Sequence, residues 1–494
     1  MPYFGRQKIL TDVQEITPAN VIDVLNAALT VHNQNEQEIN NLYSVYKGKQ
    51  AILNRKKDVR PEICNKIVVN LAKEIVDFKV GYMHREPIQY VSADSGDDST
   101  EEIVTLNKYM RSESKPYKDR RISKWNHICG TAYYMILPDT AMNRDENEAP
   151  FEIFVLDPRS AFVVYLNDVD EPPVMSVKYV KKQDGTIVYT CYTDNVRYDI
   201  ESGEGNVKKI VNIVDISETG NPIVEYPANE ERTGAFEPVM TLLDAINNVQ
   251  SNRVDGVEQF IQALLLFHNV NADEKTVEAL RIEGALAYKD ADPSMKGEVK
   301  YMTSELNQSQ TQILIDDMCE QVRHICGIPN RSGGGASTSD TGQAVEMRDG
   351  FVDAMTRAGE SIDQFRESDM KILDKVINIC SVLSGLRLKT SNIEIKFFLQ
   401  NHQNLTEKVN AIATLIGTGK FSLIDCIGVG GGLFADPEAV VKRSEKYIKE
   451  QESKNAEQQR LNSGGDPGSE QSPAPREVRE SGVQPRKDNG MAGK

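Results

Sequence analysis

The residues most typical of catalysis occur in this sequence without the partners that catalysis needs. A nucleotide-binding P-loop needs a first glycine, four spacer residues, then Gly-Lys followed directly by Ser or Thr. In the stretch GTGKFS at 417–422, Gly419 and Lys420 could be the Gly-Lys pair, but Phe421 follows the lysine. The first glycine would then stand five positions before Gly419, where the chain has Thr414. The glycine-rich run at 428–433 lacks the third glycine of a dinucleotide-binding fingerprint. Both stretches are interpreted as turns or loops between helices.

Metal-binding patterns are also missing from the sequence. The six histidines stand far apart, and none of the seven cysteines forms a C-x-x-C pair. Cys319 and Cys326 are predicted to be small core residues, and the scattered cysteines to be reduced thiols of a cytoplasmic protein. Acidic clusters at 168–171 and at Asp316 and Asp317 favour a solvated surface over Mg²⁺ binding or acid–base catalysis. The sequence therefore predicts no catalytic residue, no metal site and no cofactor.

The composition is that of a folded protein with an acidic balance. The chain has 494 residues, 39% of them hydrophobic and 27% charged, and a formal net charge of −17. That length predicts two to four domains. No stretch approaches the 18 apolar residues of a transmembrane helix, and the first residues lack the apolar segment of a secretory signal. The charge argues against a broad basic face that grips nucleic acid, but it suits a surface that DNA slides past.

Apolar spacing predicts a mainly helical chain with one β-rich part. Helices are predicted at 17–46, 61–82, up to about 126, 236–268, 305–326, 405–418 and 437–452. Five segments rich in Val, Ile, Tyr and Phe between 130 and 226, with an Asp184-Gly185 turn, predict an antiparallel meander. Residues 392–398 alternate in polarity and predict a further strand.

The strongest periodic signal predicts a very long helix from about 341 to 384. Nine of ten positions spaced alternately by four and three between Phe351 and Leu383 are apolar, and Asp369 is the tenth. Such a helix would be roughly 65 Å long. We expect its packing partner to change near Asp369, and one subunit to bury the stripe only with difficulty. On periodicity alone, a coiled-coil scaffold or adaptor is the alternative interpretation.

Two stretches and one order of elements carry a family resemblance. The stretches are YSVYKGKQAIL at 43–53, continuing into 65–82 and PIQY at 87–90, and NPIVEYPAN at 221–229, continuing through 231–237 into LLDAINNVQS at 242–251. The order is helix, short mixed segment, helix, glycine-rich loop and very long helix. Over about residues 40–450 the chain resembles the portal (head–tail connector) proteins of tailed double-stranded DNA bacteriophages, of the long-tailed siphovirus type.

The resemblance implies an α+β, mainly helical fold with a long kinked helix and an antiparallel β region in its wing. The implied parts are a wing at 1–235, stem helices at 236–268 and 305–327, a clip at 269–304, a channel loop at 328–340, the long helix and returning wing strand at 341–400, a crown at 401–455 and a disordered tail at 456–494. The composition of the tail, with few large apolar residues, independently favours disorder.

The resemblance also implies a structural protein and not an enzyme. Subunits of this family form a homo-oligomeric ring, a dodecamer in the typical case, at one vertex of the virion capsid. The ring is the channel for genome packaging and DNA ejection. Implied partners are further copies of the chain, double-stranded DNA, the terminase ATPase, the major capsid and scaffold proteins, and head-completion or adaptor proteins, with no membrane. Assembly is expected in the host cytoplasm, and the missing P-loop fits because the ATPase is a separate protein.

Two sets of residues are candidates for facing DNA in such a channel. The channel loop would offer Arg331, Gly333, Gly334, Gly335, Ser337, Thr338 and Ser339. The acidic stem would consist of Glu237, Asp244, Asp255, Glu258, Asp316, Asp317 and Glu320. We expect this acidic stem to discourage DNA from sticking, within a Debye length of roughly 8 Å.

Overall fold

The computed structural model contains both helices and strands, with a run of eight consecutive strands between two largely helical parts of the described chain. The described residues are 5–93, 100–139, 145, 148–203, 207–261, 264–269, 278, 292, 294–302, 308–329, 350–398, 405–429 and 437–462. The chain divides into two units, Met1–Pro437 and Glu438–Lys494. The predicted mixture of α and β structure is therefore confirmed.

The first part of the chain is helical, with boundaries that differ from the predicted ones. Its elements are β1 (Ile9–Thr11), α1 (Val21–Tyr46), a 3₁₀ turn (Ala51–Asn54), α2 (Leu71–Met83), β2 (Gln89–Ser92), α3 (Thr100–Ser112) and α4 (Lys115–Cys129). The single helix predicted up to 126 is two helices, because Ser114 takes a left-handed backbone conformation with φ of 53°. Residues 61–70 are not helical either, because backbone N–H groups of residues 65–69 donate to side chains far along the chain, at positions 247–255.

The β-rich part forms two sheets and not one meander. Its strands are β3 (Thr131–Pro138), β4 (Phe151–Leu156), β5 (Ala161–Leu166), β6 (Pro173–Lys181), β7 (Ile187–Tyr192), β8 (Val196–Ser202), β9 (Lys208–Asp215) and β10 (Ile223–Pro227). Three of the five predicted segments, β5 to β7, form an antiparallel meander that continues into β8 and β9, and β1 adds to it in parallel beside β5. Strands β3 and β4 instead join β10 in a separate sheet. The predicted turn at Asp184-Gly185 is confirmed, with Gly185 at φ of 86°.

The last part contains the longest helix of the described chain. Its elements are α5 (Met240–Ile261), β11 (Leu264–His268), β12 (Glu298–Met302), α6 (Gln308–Cys326), α7 (Phe351–Leu383), β13 (Ile393–Lys396), α8 (Leu405–Thr418), α9 (Leu423–Val429) and α10 (Pro437–Asn462). The helix predicted to reach 268 ends at Ile261, because 264–268 pair as a strand with β12. Helix α10 reaches Asn462, so the first seven residues of the predicted tail are helical.

The middle of the apolar face of helix α7 is buried by its own subunit. Its 33 residues make it about 50 Å long, and residues 341–349 of the predicted helix lie outside the described residues. Ile362, Phe365, Ile372 and Val376 are buried in one core with residues of α3, α4, β2, β3, β4, β10 and β13. The middle of the stripe therefore needs no second subunit to cover it, whereas Met355 and Leu383 near its ends are 42% and 43% exposed. The expected change of packing partner at Asp369 is wrong, because Asp369 is fully buried inside the same core.

Helix α1 connects two further cores. Its first half, with Val21, Leu25 and Ala28, covers the six-stranded sheet. Its second half, with Ile39 and Leu42, packs in a core shared with α2, α5 and α6. The α5–α6 pair is thereby held against the N-terminal helices.

Candidate functional site

Helices α5 and α6 pack side by side and carry six of the seven residues of the predicted acidic stem. Apolar residues three and four apart on each helix, among them Leu243 and Ile246 of α5 and Ile315 and Val322 of α6, meet in the shared core. The polar side chains therefore lie on the remaining faces of the pair. They fall into two groups, buried and exposed.

Glu237 is buried at the entrance to α5 and is paired inside the subunit. Its Oε2 lies 2.8 Å from Nη2 of Arg6, and its Oε1 accepts a 2.6 Å hydrogen bond from the backbone of Gly234. Burial raises the pKa of Glu237, and Arg6 opposes that rise. Arg6 also lies 3.0 Å from Glu38 of α1. Glu237 thus fastens the N-terminal segment to the start of α5 and is buried against Arg6 inside the subunit.

Asp255 is likewise buried and compensated. Arg55 and Lys57 lie 3.1 and 2.9 Å from its Oδ2, and the backbone and side chain of Asn65 donate to its Oδ1 at 2.7 and 2.9 Å. Burial alone would raise the pKa of Asp255, but the hydrogen bonds from Lys57 and Asn65 outweigh it and lower that pKa. This carboxylate, too, acts within its own subunit.

Asp255 is one of three α5 side chains that hold residues 65–69 in an extended conformation. The backbone N–H groups of Asn65, Ile67 and Val69 donate to Asp255, Ser251 and Asn247 at 2.7, 2.9 and 2.7 Å. Two residues of extended chain span about 6.6 Å, and one turn of four helical residues spans about 6.0 Å. The two repeats match, so alternate N–H groups meet successive turns of α5. This set of three hydrogen bonds, the α5 clamp, replaces the first half of the helix predicted at 61–82.

The other predicted stem residues have different surroundings. Asp244 and Glu258 of α5 are half-buried, and burial raises the pKa of Asp244. Asp316, Asp317 and Glu320 are exposed on α6. Since Glu237 and Asp255 are paired inside the subunit, an acidic surface of this region rests on the five remaining residues and above all on the three of α6.

The predicted channel loop lies outside the described residues from position 330 onward. Arg331, Gly333, Gly334, Gly335, Ser337, Thr338 and Ser339 all lie between 330 and 349, outside the described residues. Their contact with DNA stays a prediction.

A buried ionic cluster escaped the sequence analysis. Nζ of Lys115 lies 2.8 Å from both Asp119 and Asp369. Three tyrosine hydroxyls donate to these carboxylates, each at 2.8 Å: Tyr90 and Tyr226 to Asp369, and Tyr134 to Asp119. We call these six side chains the buried ionic cluster. Its members come from α4, α7, β2, β3 and β10, so it fastens the long helix to two sheets.

The electrostatics of this cluster follow from its burial. All six side chains are less than 4% exposed. Burial, together with nearby Asp369, raises the pKa of Asp119 to about 6, although Lys115 opposes this rise. Burial would lower the pKa of Lys115, but Asp119 and Asp369 outweigh it and hold that pKa well above its usual value. The one sequence signal was the polar break at Asp369.

The described chain offers no set of groups fitted to catalysis. No group of three or more His, Cys, Asp or Glu side chains among the described residues could hold a metal ion. Burial lowers the pKa of His32 to about 4 and of His84 to about 3, and raises that of Cys326 to about 11. None of the described helices has the length and apolar character that crossing a membrane requires.

Comparisons with known proteins place the chain in a family. Among solved structures it is similar to a chain of the "Neck of empty GTA particle computed with C6 symmetry", with 14% identity and a TM-score of 0.41, over 73% of this chain and 89% of that one. No curated protein matches it. The family model described as "Phage portal protein, SPP1 Gp6-like" matches residues 26–427. Because this match spans well over half of the 494 residues, the chain belongs to the SPP1 Gp6-like phage portal protein family.

Proposed function

We propose that the protein forms a homo-oligomeric ring, twelve subunits in the simplest case, through which double-stranded DNA enters the capsid during packaging and leaves during ejection. The observation that carries this proposal is the family match over residues 26–427, by which the chain is a portal protein and a component of a phage particle. The chain has a structural role in this proposal, and a separate terminase supplies ATP hydrolysis.

The described elements support a division of labour within the subunit. We assign α5 and α6 to the stem, β11 and β12 to the start and end of the clip, and α8 and α9 to the crown. The wing comprises the two large sheets with α1 to α4, and α7 and β13 return to it, since β13 pairs with β2. The stem then ends at Ile261 and not at 268. Residues 328–340 form the channel loop in this proposal.

The partners follow from these positions. The clip would dock the terminase during packaging and head-completion or adaptor proteins afterwards, as the resemblance implies. The wing would contact the major capsid and scaffold proteins. The ring would assemble in the host cytoplasm and end in the virion of a long-tailed phage.

Native mass spectrometry of the purified protein tests the ring. With a subunit mass of 55.2 kDa, a ring of twelve has a mass of about 660 kDa. We expect that mass, or that of a neighbouring subunit number, without added nucleic acid, and a central channel in negative-stain images. A stable monomer, dimer or trimer at micromolar concentration would contradict the proposal, and a dimer or trimer would favour the coiled-coil scaffold instead.

A packaging assay tests the channel. Procapsids assembled with this portal protein, terminase and ATP should protect genome-length DNA from nuclease, and procapsids that lack the portal should protect none. Protection without the portal would show that DNA enters by another route.

A further inference from the structure

One exposed segment has a charge opposite to that of the rest of the chain. Residues 47–66, which we call the basic segment, hold seven basic and two acidic side chains, a net of +5 in a chain of −17. Among the described residues, the exposed side chains of Lys49 and Lys56 have no hydrogen bond or ion pair. Two apolar side chains of the segment are also exposed, Leu53 by 41% and Val59 by 78%.

Helix α6 presents an outer surface of the opposite charge. Asp316, Asp317 and Glu320 are exposed there around Ile313, which is 67% exposed. At about 100° per residue, these four side chains fall on one side of the helix. We call them the acidic face. Asp316 and Asp317 accept hydrogen bonds from Gln312 and Gln321, neutral side chains that leave both negative charges uncompensated.

The basic segment and helix α6 pack on opposite sides of α5. The α5 clamp, which holds the end of the basic segment, uses Ser251 and Asp255. Arg253, which donates to Gln312 of α6 at 2.6 Å, lies about 200° around α5 from both of them. The order across the subunit is therefore basic segment, α5 and α6, with the acidic face on the outer side of α6.

This order suits a closed ring of identical copies. In a cyclic ring the two sides of a subunit are different surfaces, and one side of each copy meets the other side of the next. Resting on the ring proposed above, we propose that the basic segment of one copy contacts the acidic face of α6 in the adjacent copy. Leu53 and Val59 would then be covered together with Ile313. Phosphate groups of DNA would satisfy the lysines but not these apolar side chains, so a second copy fits better.

Two charge-reversed variants test the contact. The first is Lys49→Glu with Lys56→Glu, and the second is Asp316→Lys with Asp317→Lys. Alone, each variant brings like charges together at every contact between copies, so we expect loss of the ring mass in native mass spectrometry. Higher salt should partly restore each ring, because screening weakens the repulsion. Mixed in equal amounts, the variants should form rings in which the two alternate, with equal copies of both and an even total.

Controls separate this contact from general effects of charge. Lys181→Glu with Lys209→Glu makes the same charge change on exposed positions of the six-stranded sheet and should leave the ring intact. Restored assembly in the mixture would also demonstrate that both variants fold.

Several results would overturn the contact while leaving the ring in place. The first is that either variant alone forms rings over the same range of protein concentration as the parent. The second is that the mixture of the two variants fails to assemble. The third is that the lysine variant forms rings but loses DNA binding. The last result would identify DNA as the partner of the basic segment. If the parent chain forms no ring, both the proposed function and this contact are overturned.

Discussion

At the scale of single residues, Lys115 is a buried cation that is 2% exposed and has two carboxylate partners. Its Nζ lies 2.8 Å from both Asp119 and Asp369, in a core where all three side chains are buried. One cation and two carboxylates give a net charge of −1, and the three tyrosine hydroxyls spread that charge by hydrogen bonding. Buried charges of this kind are tolerated only while each has its partner.

Replacing Lys115 by Met should therefore lower the stability of the fold sharply. The side chain of Met fills similar space, but the two carboxylates would face each other without a cation. We expect a loss of about 3–5 kcal/mol in the free energy of unfolding, measured by urea denaturation. Lys371→Met is the matched control: its ion pair with Glu367 is exposed, so a loss within about 1 kcal/mol is expected. Equal losses in the two variants would contradict the assigned role.

Asp119 should give stability an unusual dependence on pH. Its pKa is raised to about 6 in the fold, above about 3.9 in an unfolded chain. The folded state therefore binds this proton more tightly, so the contribution is largest at acidic pH and is lost as pH rises through 6. We expect the stability difference between the parent and Asp119→Asn to shift in favour of the parent by about 1 kcal/mol from pH 7 to pH 5. A constant difference, or a shift of opposite sign, would contradict this cause.

At the scale of elements, the α5 clamp explains why residues 65–69 are extended. Ser251 and Asn247 are fully buried, and each accepts from a backbone N–H of that segment. An N–H left without an acceptor in such a place costs the free energy of its lost hydration.

Ser251→Ala should thus destabilise the docking of this segment. We expect the free energy of local unfolding to fall by about 1–3 kcal/mol. This loss would appear as faster amide hydrogen exchange confined to residues 61–70 and α5. Ser381→Ala removes an exposed serine that bonds only within α7, and it should change exchange little. Unchanged exchange at Ile67 in the Ser251→Ala variant would show that the hydrogen bond does not hold the segment.

The channel loop yields a second prediction at this scale. Glycines at 333–335 allow backbone conformations that other residues avoid, and alanine there costs roughly 1 kcal/mol or more at each site with positive φ. Gly333→Ala, Gly334→Ala and Gly335→Ala together should leave ring assembly unchanged and reduce the DNA packaged per capsid. Packaging of the normal genome length at the normal rate would exclude a role for these three glycines in packaging.

At the scale of the whole molecule, the end of the chain should be dispensable for assembly. Residues 463–494 contain little that could join a core, with Val478, Val483 and Met491 as their large apolar residues. Since α10 reaches Asn462, a deletion should begin at Ser463. We expect the shortened protein to form rings of the same subunit number by native mass spectrometry. Loss of the ring would assign the deleted residues to a contact between subunits.

Local patterns in the sequence predicted the positions of helices and strands better than the contacts between them. The spacing of apolar residues located α1, α5, α6 and α7, and the Asp184-Gly185 turn located a hairpin. Periodicity failed at 61–70, where the residues have a helical pattern but their N–H groups bond to α5, about 180 positions later in the chain. The end of α5 was placed wrongly because Leu264–His268 pair with residues 30 to 38 positions later in the chain.

The same limit applies to the candidate site. Counting charges predicted an acidic stem, but the pairing of Glu237 with Arg6 spans 231 positions, and no local pattern reports such a distance. Asp369 stood out as a break in a stripe, yet its partners Tyr90 and Lys115 lie 279 and 254 positions earlier. Sequence patterns reveal which residues are unusual, whereas the structure tells what they touch.

The α5 clamp has a mechanical consequence for a channel. Its three acceptors recur once per helical turn, and the next positions of this series, Leu243 and Gln259, differ from them in size and chemistry. Helix α5 therefore has a single register against residues 65–69, and sliding by one turn would break the match. A force along the axis of α5 would be transmitted through these hydrogen bonds to the N-terminal helices. In the ring proposed above, force from moving DNA would then move α5 and the N-terminal helices together, without slippage between them.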